Sequence, residues 1–270
     1  MESILIVLAI LYIVISVSFY LFQHYFFFRP EILPKHFTYK YPFPFEELNF
    51  EMQDGGNINA IYFKVPKSRG IVFYLKGNSR SIKGWGKFAK DFLSNGYDFI
   101  MMDYRGFGKS SGKRNQATLF NDAQYVYQWI SQSYEEDKII LYGRSLGSGI
   151  AARIASWNQP RLLILDSPYL SFYYNIQRYL FLFPVRWMLR YDLRTDQYMK
   201  DITCTIHVIH GTKDRLIPFN QSEQLKALFP DMVSLHPVQG AHHNNLPDYP
   251  KFYSIIYDIL YVKPDTGWQL

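Results

Sequence analysis

An α/β fold, built as an eight-stranded, mostly parallel sheet with helices on both faces, is predicted by two features of this 270-residue chain. Short β-rich runs alternate with longer segments of helical period, the pattern of a sheet covered on both sides. Hydrophobic residues make up 48% and aromatics 19%, enough for one large core in a single domain of this size, and no repeat or low-complexity tract interrupts them. A third feature, an uncharged apolar run at residues 3–22, sets an N-terminal transmembrane helix apart from that body.

As a helix, SILIVLAILYIVISVSFYLF would be about 30 Å long, enough to cross a hydrocarbon core. Only Glu2 adds charge before it, and no small-x-small cleavage site follows, so the run reads as a retained single-pass anchor rather than a cleaved signal peptide. Tyr20, Tyr25, Phe26, Phe27 and Phe28 crowd its exit, where aromatic rings favour the headgroup level, and Arg29, Lys35 and Lys40 follow. That flank predicts a membrane localisation with the rest of the chain on the cytoplasmic side. The expected division is an anchor at 1–28, a Pro-rich connector at 29–44 (Pro30, Pro34, Pro42, Pro44) and a folded domain at 45–270.

Strands are predicted at 47–53, 58–65, 71–76, 99–104, 138–142, 162–166, 205–210 and 232–237, the first two joined across Asp54-Gly55-Gly56 as an antiparallel hairpin. Helices are predicted at 85–94, 118–131, 146–157, 222–229 and 249–261, where apolar residues recur at three-to-four spacing. Alternation breaks over 169–200, an aromatic-rich helical insertion expected to act as a lid and to wall the substrate pocket. Within it Pro184 suits the first turn of a helix, and Arg186, Arg190 and Arg194 recur every four residues. That basic stripe would suit lipid phosphates, or equally a solvated face.

Composition excludes several classes. A single cysteine, Cys204, leaves no disulfide framework and no cysteine-rich metal site. The charge excess of 29 − 23 = 6 is modest and lacks a basic run interleaved with stacking aromatics, so no nucleic-acid partner is expected; an anionic lipid surface fits better. The adjacent His242 and His243 lack further ligands to share an ion, so no metal and no cofactor are predicted. Oligomeric state has no signal in the sequence.

The segment Gly143-Arg144-Ser145-Leu146-Gly147 lies between a predicted strand and a predicted helix, the setting in which G-x-S-x-G presents a nucleophile. So sharp a turn demands a strained central residue and small neighbours. It also puts Ser145 at a helix N-terminus, where the Leu146 N–H favours developing negative charge. A serine hydroxyl is a poor nucleophile at neutral pH and needs an imidazole to take its proton and a carboxylate to orient that ring. For the acid, Asp214 follows the strand at 205–210, and Asp166 ends the preceding strand, where a carboxylate more often ties down backbone amides. For the base, the loop after the last strand offers His242 and His243. Asp103 reads as structural, His210 as lying under the acid loop, and His207 and His236 as hydrogen-bonded strand residues.

The segments Asp103-Tyr104-Arg105-Gly106-Phe107-Gly108-Lys109-Ser110-Ser111-Gly112, Tyr142-Gly143-Arg144-Ser145-Leu146-Gly147 and His210-Gly211-Thr212-Lys213-Asp214 resemble the α/β-hydrolase superfamily, in particular its membrane-anchored, serine-aminopeptidase-like branch. The resemblance runs from about residue 45 to 260. It implies an acyl-serine mechanism and the chain order serine, acid, histidine. It assigns the acid to Asp214 and the base to His243, with His242 standing where relatives carry glycine. It makes the N–H of Asn78 the oxyanion partner of the Leu146 N–H. Lys76-Gly77-Asn78-Ser79 departs from the family's His-Gly-Asn, placing a charge where relatives have a neutral ring, although main-chain donors do not depend on that side chain. The implied activity is hydrolysis of an ester, thioester or similar acyl bond in a small-molecule or lipid-like substrate. The alternatives are a serine aminopeptidase, which needs an acidic contact for the substrate amine, and a catalytically silent membrane-anchored binding module.

Overall fold

The eight expected strands form one sheet in the computed structural model, which describes residues 1–261, and each lies within two residues of its predicted bounds. They are β1 (Phe45–Glu51), β2 (Asn57–Phe63), β3 (Ile71–Leu75), β4 (Asp98–Met102), β5 (Ile139–Arg144), β6 (Leu162–Asp166), β7 (Thr205–Gly211) and β8 (Val233–Val238). Their spatial order is β8-β7-β6-β5-β3-β4-β2-β1. β1 and β2 form the antiparallel hairpin and β2 pairs antiparallel with β4; every other pairing is parallel. The central strands are apolar along their length because both faces are covered. In β3, Ile71, Phe73 and Leu75 enter one core while Val72 and Tyr74 enter the other, following the two-residue period of a strand.

The first core packs α4 (Gln116–Ile130) and α5 (Leu146–Trp157) on the sheet; the second packs α2 (Ile82–Trp85), α3 (Ala89–Leu93) and α10 (Pro250–Leu260). One long helix was expected over 85–94. Instead a tight turn at Gly86–Phe88 separates α2 from α3; the Tyr41 ring lies against Gly86, where any Cβ would collide with it. Helix α9 (Asn220–Leu228) follows β7. The predicted domain over 45–270 has its last nine residues outside the described residues.

At the N-terminus, α1 (Glu2–Phe27) continues five residues past Phe22, through Gln23 and His24, and is long and apolar enough to cross a membrane. Beyond it the chain lies against the body. Arg29–Pro30 pairs in parallel with Ser79–Arg80, and Phe28, Leu33 and Tyr39 are buried.

The insertion holds three short helices, α6 (Phe172–Gln177), α7 (Val185–Met188) and α8 (Thr195–Tyr198). Pro184 immediately precedes α7, but the basic stripe does not form. α7 stops at Met188, where Gln23 of α1 takes over the backbone: its Nε2 donates to the Met188 carbonyl at 2.9 Å and its Oε1 accepts from the Arg190 N–H at 2.8 Å. Arg190 therefore lies off the helix, and Arg194 forks onto Asp196 at 3.0 and 2.8 Å.

Candidate active site

β5 ends at Arg144 and α5 begins at Leu146, so the whole reversal falls on Ser145, at φ 52° and ψ −117°. A left-handed, non-glycine residue costs on the order of 1–3 kcal/mol and persists only where its surroundings over-determine it. They do so here. A Cβ on Gly147 would overlap the Leu75 carbonyl, and one on Gly143 would strike α5 at Gly147 and Ala151, so both flanks must be glycine for helix and sheet to approach. The Ser145 N–H donates to the Asp166 carbonyl at 2.9 Å, tying the bend to β6.

Two loops at the same end of the sheet reach this serine. His243, from the loop after β8, has Nε2 3.0 Å from Ser145 Oγ and Nδ1 2.7 Å from Asp214 Oδ2. Asp214, from the loop after β7, is buried. Its Oδ1 accepts from the N–H groups of Leu216 and Ile217, both at 2.9 Å, and its Oδ2 also meets His210 Nε2 at 3.1 Å. Burial alone would raise the Asp214 pKa, but hydrogen bonds from His210, His243 and the Ile217 amide hold it well below the usual carboxylate range. His210 Nε2 faces two acceptors, Asp214 and the Ile217 carbonyl, so that nitrogen carries the proton while Nδ1 accepts from Ser222 Oγ at 2.6 Å. His210 thus orients the acid.

Of the two adjacent histidines only His243 faces the serine. His242 is exposed, and its N–H is taken by Asn245 Oδ1 at 2.7 Å. Asp166 is fully buried and already engaged, by Tyr142 OH at 2.8 Å, Ser167 Oγ at 3.2 Å and Arg144 Nε at 3.5 Å. It binds side chains, not the backbone amides expected of it. His207 and His236 pair at 3.0 Å across β7 and β8, and burial pushes His207 down to about 4.

The N–H groups of Asn78 and Leu146 have no protein acceptor among the described residues, which leaves both available beside Ser145. Asn78 is held by the end of α1: its Nδ2 donates to the Phe27 carbonyl at 2.9 Å, and its carbonyl accepts from the Arg29 N–H at 2.8 Å. The cleft at Ser145, about 240 Å³, is lined by Phe26, Arg29, Trp85, Arg144, Leu216 and His243 among others. No residue of 169–200 lines it, contrary to the expectation that the insertion walls the pocket. The end of α1 holds that side of the cleft through Phe26, while Phe27 packs edge-on against Phe172 and Tyr191 of the insertion, at 5.0 and 6.2 Å between ring centres. The insertion borders a separate groove of about 840 Å³ that reaches Asp214. Phe26, Arg29 and Trp85 were not singled out as site residues from sequence; the aromatic crowd at the exit of α1 was the signal available.

Lys76, in place of the family histidine, is fully buried under the Asn78 loop. Its Nζ lies 3.3 Å from Asp103 Oδ1 and 3.9 Å from the Phe107 ring centre. Burial pushes the ammonium down to about 8 against the pull of Asp103, and pushes the Asp103 carboxyl up to about 6. Asp103 also accepts from the Ile82 N–H at 3.1 Å, and Tyr104 OH donates to the Lys76 carbonyl at 2.7 Å. The charge introduced by lysine is therefore paired internally and points away from the cleft.

Residues 66–191 match the family described as serine aminopeptidase, S33. Lysophosphatidylserine lipase ABHD12 from Danio rerio is 26% identical over 223 residues, covering 72% of this chain and 58% of the relative. The Mus musculus lipase of the same name is 26% identical over 178 residues, covering 58% of this chain and 45% of the relative. The chain thus spans about half the length of these curated relatives. A Mycobacterium tuberculosis protein is 28% identical over 202 residues, covering 72% of this chain and 71% of its own length. Among solved structures, Pyrococcus furiosus esterase Pf2001 superposes with a TM-score of 0.67 at 19% identity, covering 86% of this chain and 98% of its own. A serine hydrolase homologue from Coxiella burnetii gives 0.63 at 19%, covering 82% and 100%.

Removing one partner of a buried ion pair costs about 3–5 kcal/mol because the other charge is left uncompensated. Lys76→Met should therefore lower the thermal midpoint of the detergent-solubilised chain sharply, and Lys76→Met with Asp103→Asn should recover most of the loss. A single variant as stable as the parent, or a double variant no better than the single, would show that the pair does not hold this loop.

Proposed function

We propose that the chain is a member of the α/β-hydrolase superfamily and acts as a membrane-anchored serine hydrolase cleaving a carboxylic ester or thioester of a lipid-like substrate. The observation that carries the proposal is the unbroken run of hydrogen bonds from Ser145 Oγ through His243 to Asp214. His243 Nε2 takes the serine proton as Oγ attacks the acyl carbon, and Asp214 holds Nδ1–H and stabilises the imidazolium that forms. The N–H groups of Asn78 and Leu146 receive the oxyanion. As the tetrahedral intermediate collapses, the C–O or C–S bond to the leaving group breaks and His243 returns the proton to it. Water then attacks the acyl-serine by the same route in reverse, releasing the acid and restoring Ser145.

Arg29 and Arg144 line the cleft, and among the described residues no acidic side chain does. An aminopeptidase needs an anionic contact for the substrate ammonium, so this lining favours an ester with a neutral or anionic head over a peptide amine. The free Asn78 and Leu146 donors and the connected triad likewise favour an enzyme over a silent binding module.

The proposal extends to topology: α1 spans the bilayer, and Arg29, Lys35 and Lys40 keep the body on the cytoplasmic side. In sealed inside-out vesicles the body should be digested by added protease; protection there would reverse the orientation.

A fluorophosphonate probe should label the full-length protein, lose its target in Ser145→Ala and react weakly in His243→Ala. Turnover of p-nitrophenyl esters of graded chain length should fall by about six orders of magnitude in Ser145→Ala. His242→Ala should behave as the parent does. Full labelling in His243→Ala with loss in His242→Ala would transfer the role of base to His242; labelling that survives in Ser145→Ala would remove the mechanism.

A further inference from the structure

The insertion runs along α1. Phe27 packs on Phe172 and Tyr191, Gln23 binds the backbone at Met188 and Arg190, and the Arg190 guanidinium lies 5.8 Å from the Tyr20 ring centre. Higher on α1, Tyr12 stacks on Phe183 at 4.8 Å and its OH donates to the Leu182 carbonyl at 3.2 Å. From Phe27 to Tyr12 these contacts climb about 22 Å of helix, at 1.5 Å per residue. Tyr12 lies in the middle of the apolar run.

Beside it, Phe181, Leu182 and Trp187 are 72%, 70% and 83% exposed, a cluster of large apolar side chains without a protein partner among the described residues. The carbonyls of Leu180 and Phe183 accept from Gln177 Nε2 at 3.2 and 3.4 Å, and that of Leu182 accepts from Tyr12. Pairing of these three carbonyls within the protein lowers the cost of placing non-helical backbone at membrane depth. Arg190, against Tyr20 some 12 Å of helix nearer the exit, would fall at the headgroup level, where a cation and a tyrosine ring are both at home.

We propose that the tip of the insertion, Phe181 to Phe183, is embedded in the hydrocarbon of the leaflet that α1 crosses, with Trp187 nearer its interface. The proposal rests on α1 spanning the bilayer as put forward above. The tip and α1 then form one lipid-immersed unit whose lower end, at Phe26 and Arg29, opens on the Ser145 cleft, so a membrane-resident ester reaches the serine from the bilayer side.

The test uses the full-length protein in phosphatidylcholine vesicles, with the single cysteine removed by Cys204→Ser and a nitroxide attached at Leu182→Cys, Trp187→Cys or, as a control on the end of α9, Leu228→Cys. The label at 182 should collide with oxygen more than with a water-soluble nickel chelate, that at 228 the reverse, with 187 between them. A label at 182 as open to the chelate as that at 228 overturns the insertion. Adding Ser145→Ala should leave these accessibilities unchanged, so the depth result is independent of whether the chain is a hydrolase. In the unlabelled enzyme, Leu182→Asp should lower turnover of a long-chain ester in vesicles, relative to soluble p-nitrophenyl acetate, by about tenfold or more, the effect of a carboxylate opposed by hydrocarbon. An unchanged ratio counts against the proposal, whereas absence of turnover with either ester in the parent would count against the hydrolase mechanism instead.

Discussion

Everything at the candidate site depends on one backbone conformation, the left-handed bend that puts Ser145 between the end of β5 and the start of α5. No local preference of serine favours it. It is imposed by the surroundings: β5 lies between β3 and β6, α5 packs directly on β5, and two glycines allow contacts that a single Cβ would forbid. Once the bend is held, its neighbours acquire their places. The hydroxyl stands at the carboxyl end of the sheet, the Leu146 N–H opens the helix beside it, and the loops after β7 and β8 deliver a carboxylate and an imidazole to the same edge. In the proposed mechanism the strain is thus part of how the Ser145 hydroxyl is presented.

The second donor loop, at Lys76–Ser79, is held from two sides by unlike means. Beneath it, a lysine and an aspartate are buried together against the Phe107 ring. Above it, the Asn78 side chain and carbonyl bind the backbone leaving α1, and Ser79–Arg80 completes a short ladder with Arg29–Pro30. Exchanging a neutral ring for Lys76 therefore leaves the cleft's own charge untouched, because the new cation is consumed within the body. The end of α1 thus supplies a wall of the cleft and binds both the side chain and the carbonyl of Asn78.

Much of this was legible in the sequence because it obeys local rules. The strands follow from apolar runs bounded by turn residues, and the bend follows from glycines at a strand-to-helix junction. Residue type alone did not separate His243 from His242 or Asp214 from Asp166; the family resemblance chose His243 and Asp214, and these are the side chains the loops turn toward Ser145. Three features lay beyond local reading. The insertion was expected to wall the pocket, but it borders a neighbouring groove instead. The arginine stripe presumed a continuous helix, but Gln23 captures the backbone that would have continued it. The docking of 28–39 on the body depends on contacts between residues far apart in the chain, which no periodicity encodes.

The central claim, that the bend makes Ser145 the acyl acceptor, is tested most directly by acid-quenching the enzyme during turnover of a slow long-chain p-nitrophenyl ester and fragmenting its tryptic peptides. The account predicts an added acyl mass on the peptide 145–153, assigned by fragmentation to Ser145 and not to Ser148. Turnover with no acyl adduct there, or an adduct on any other residue, would contradict it.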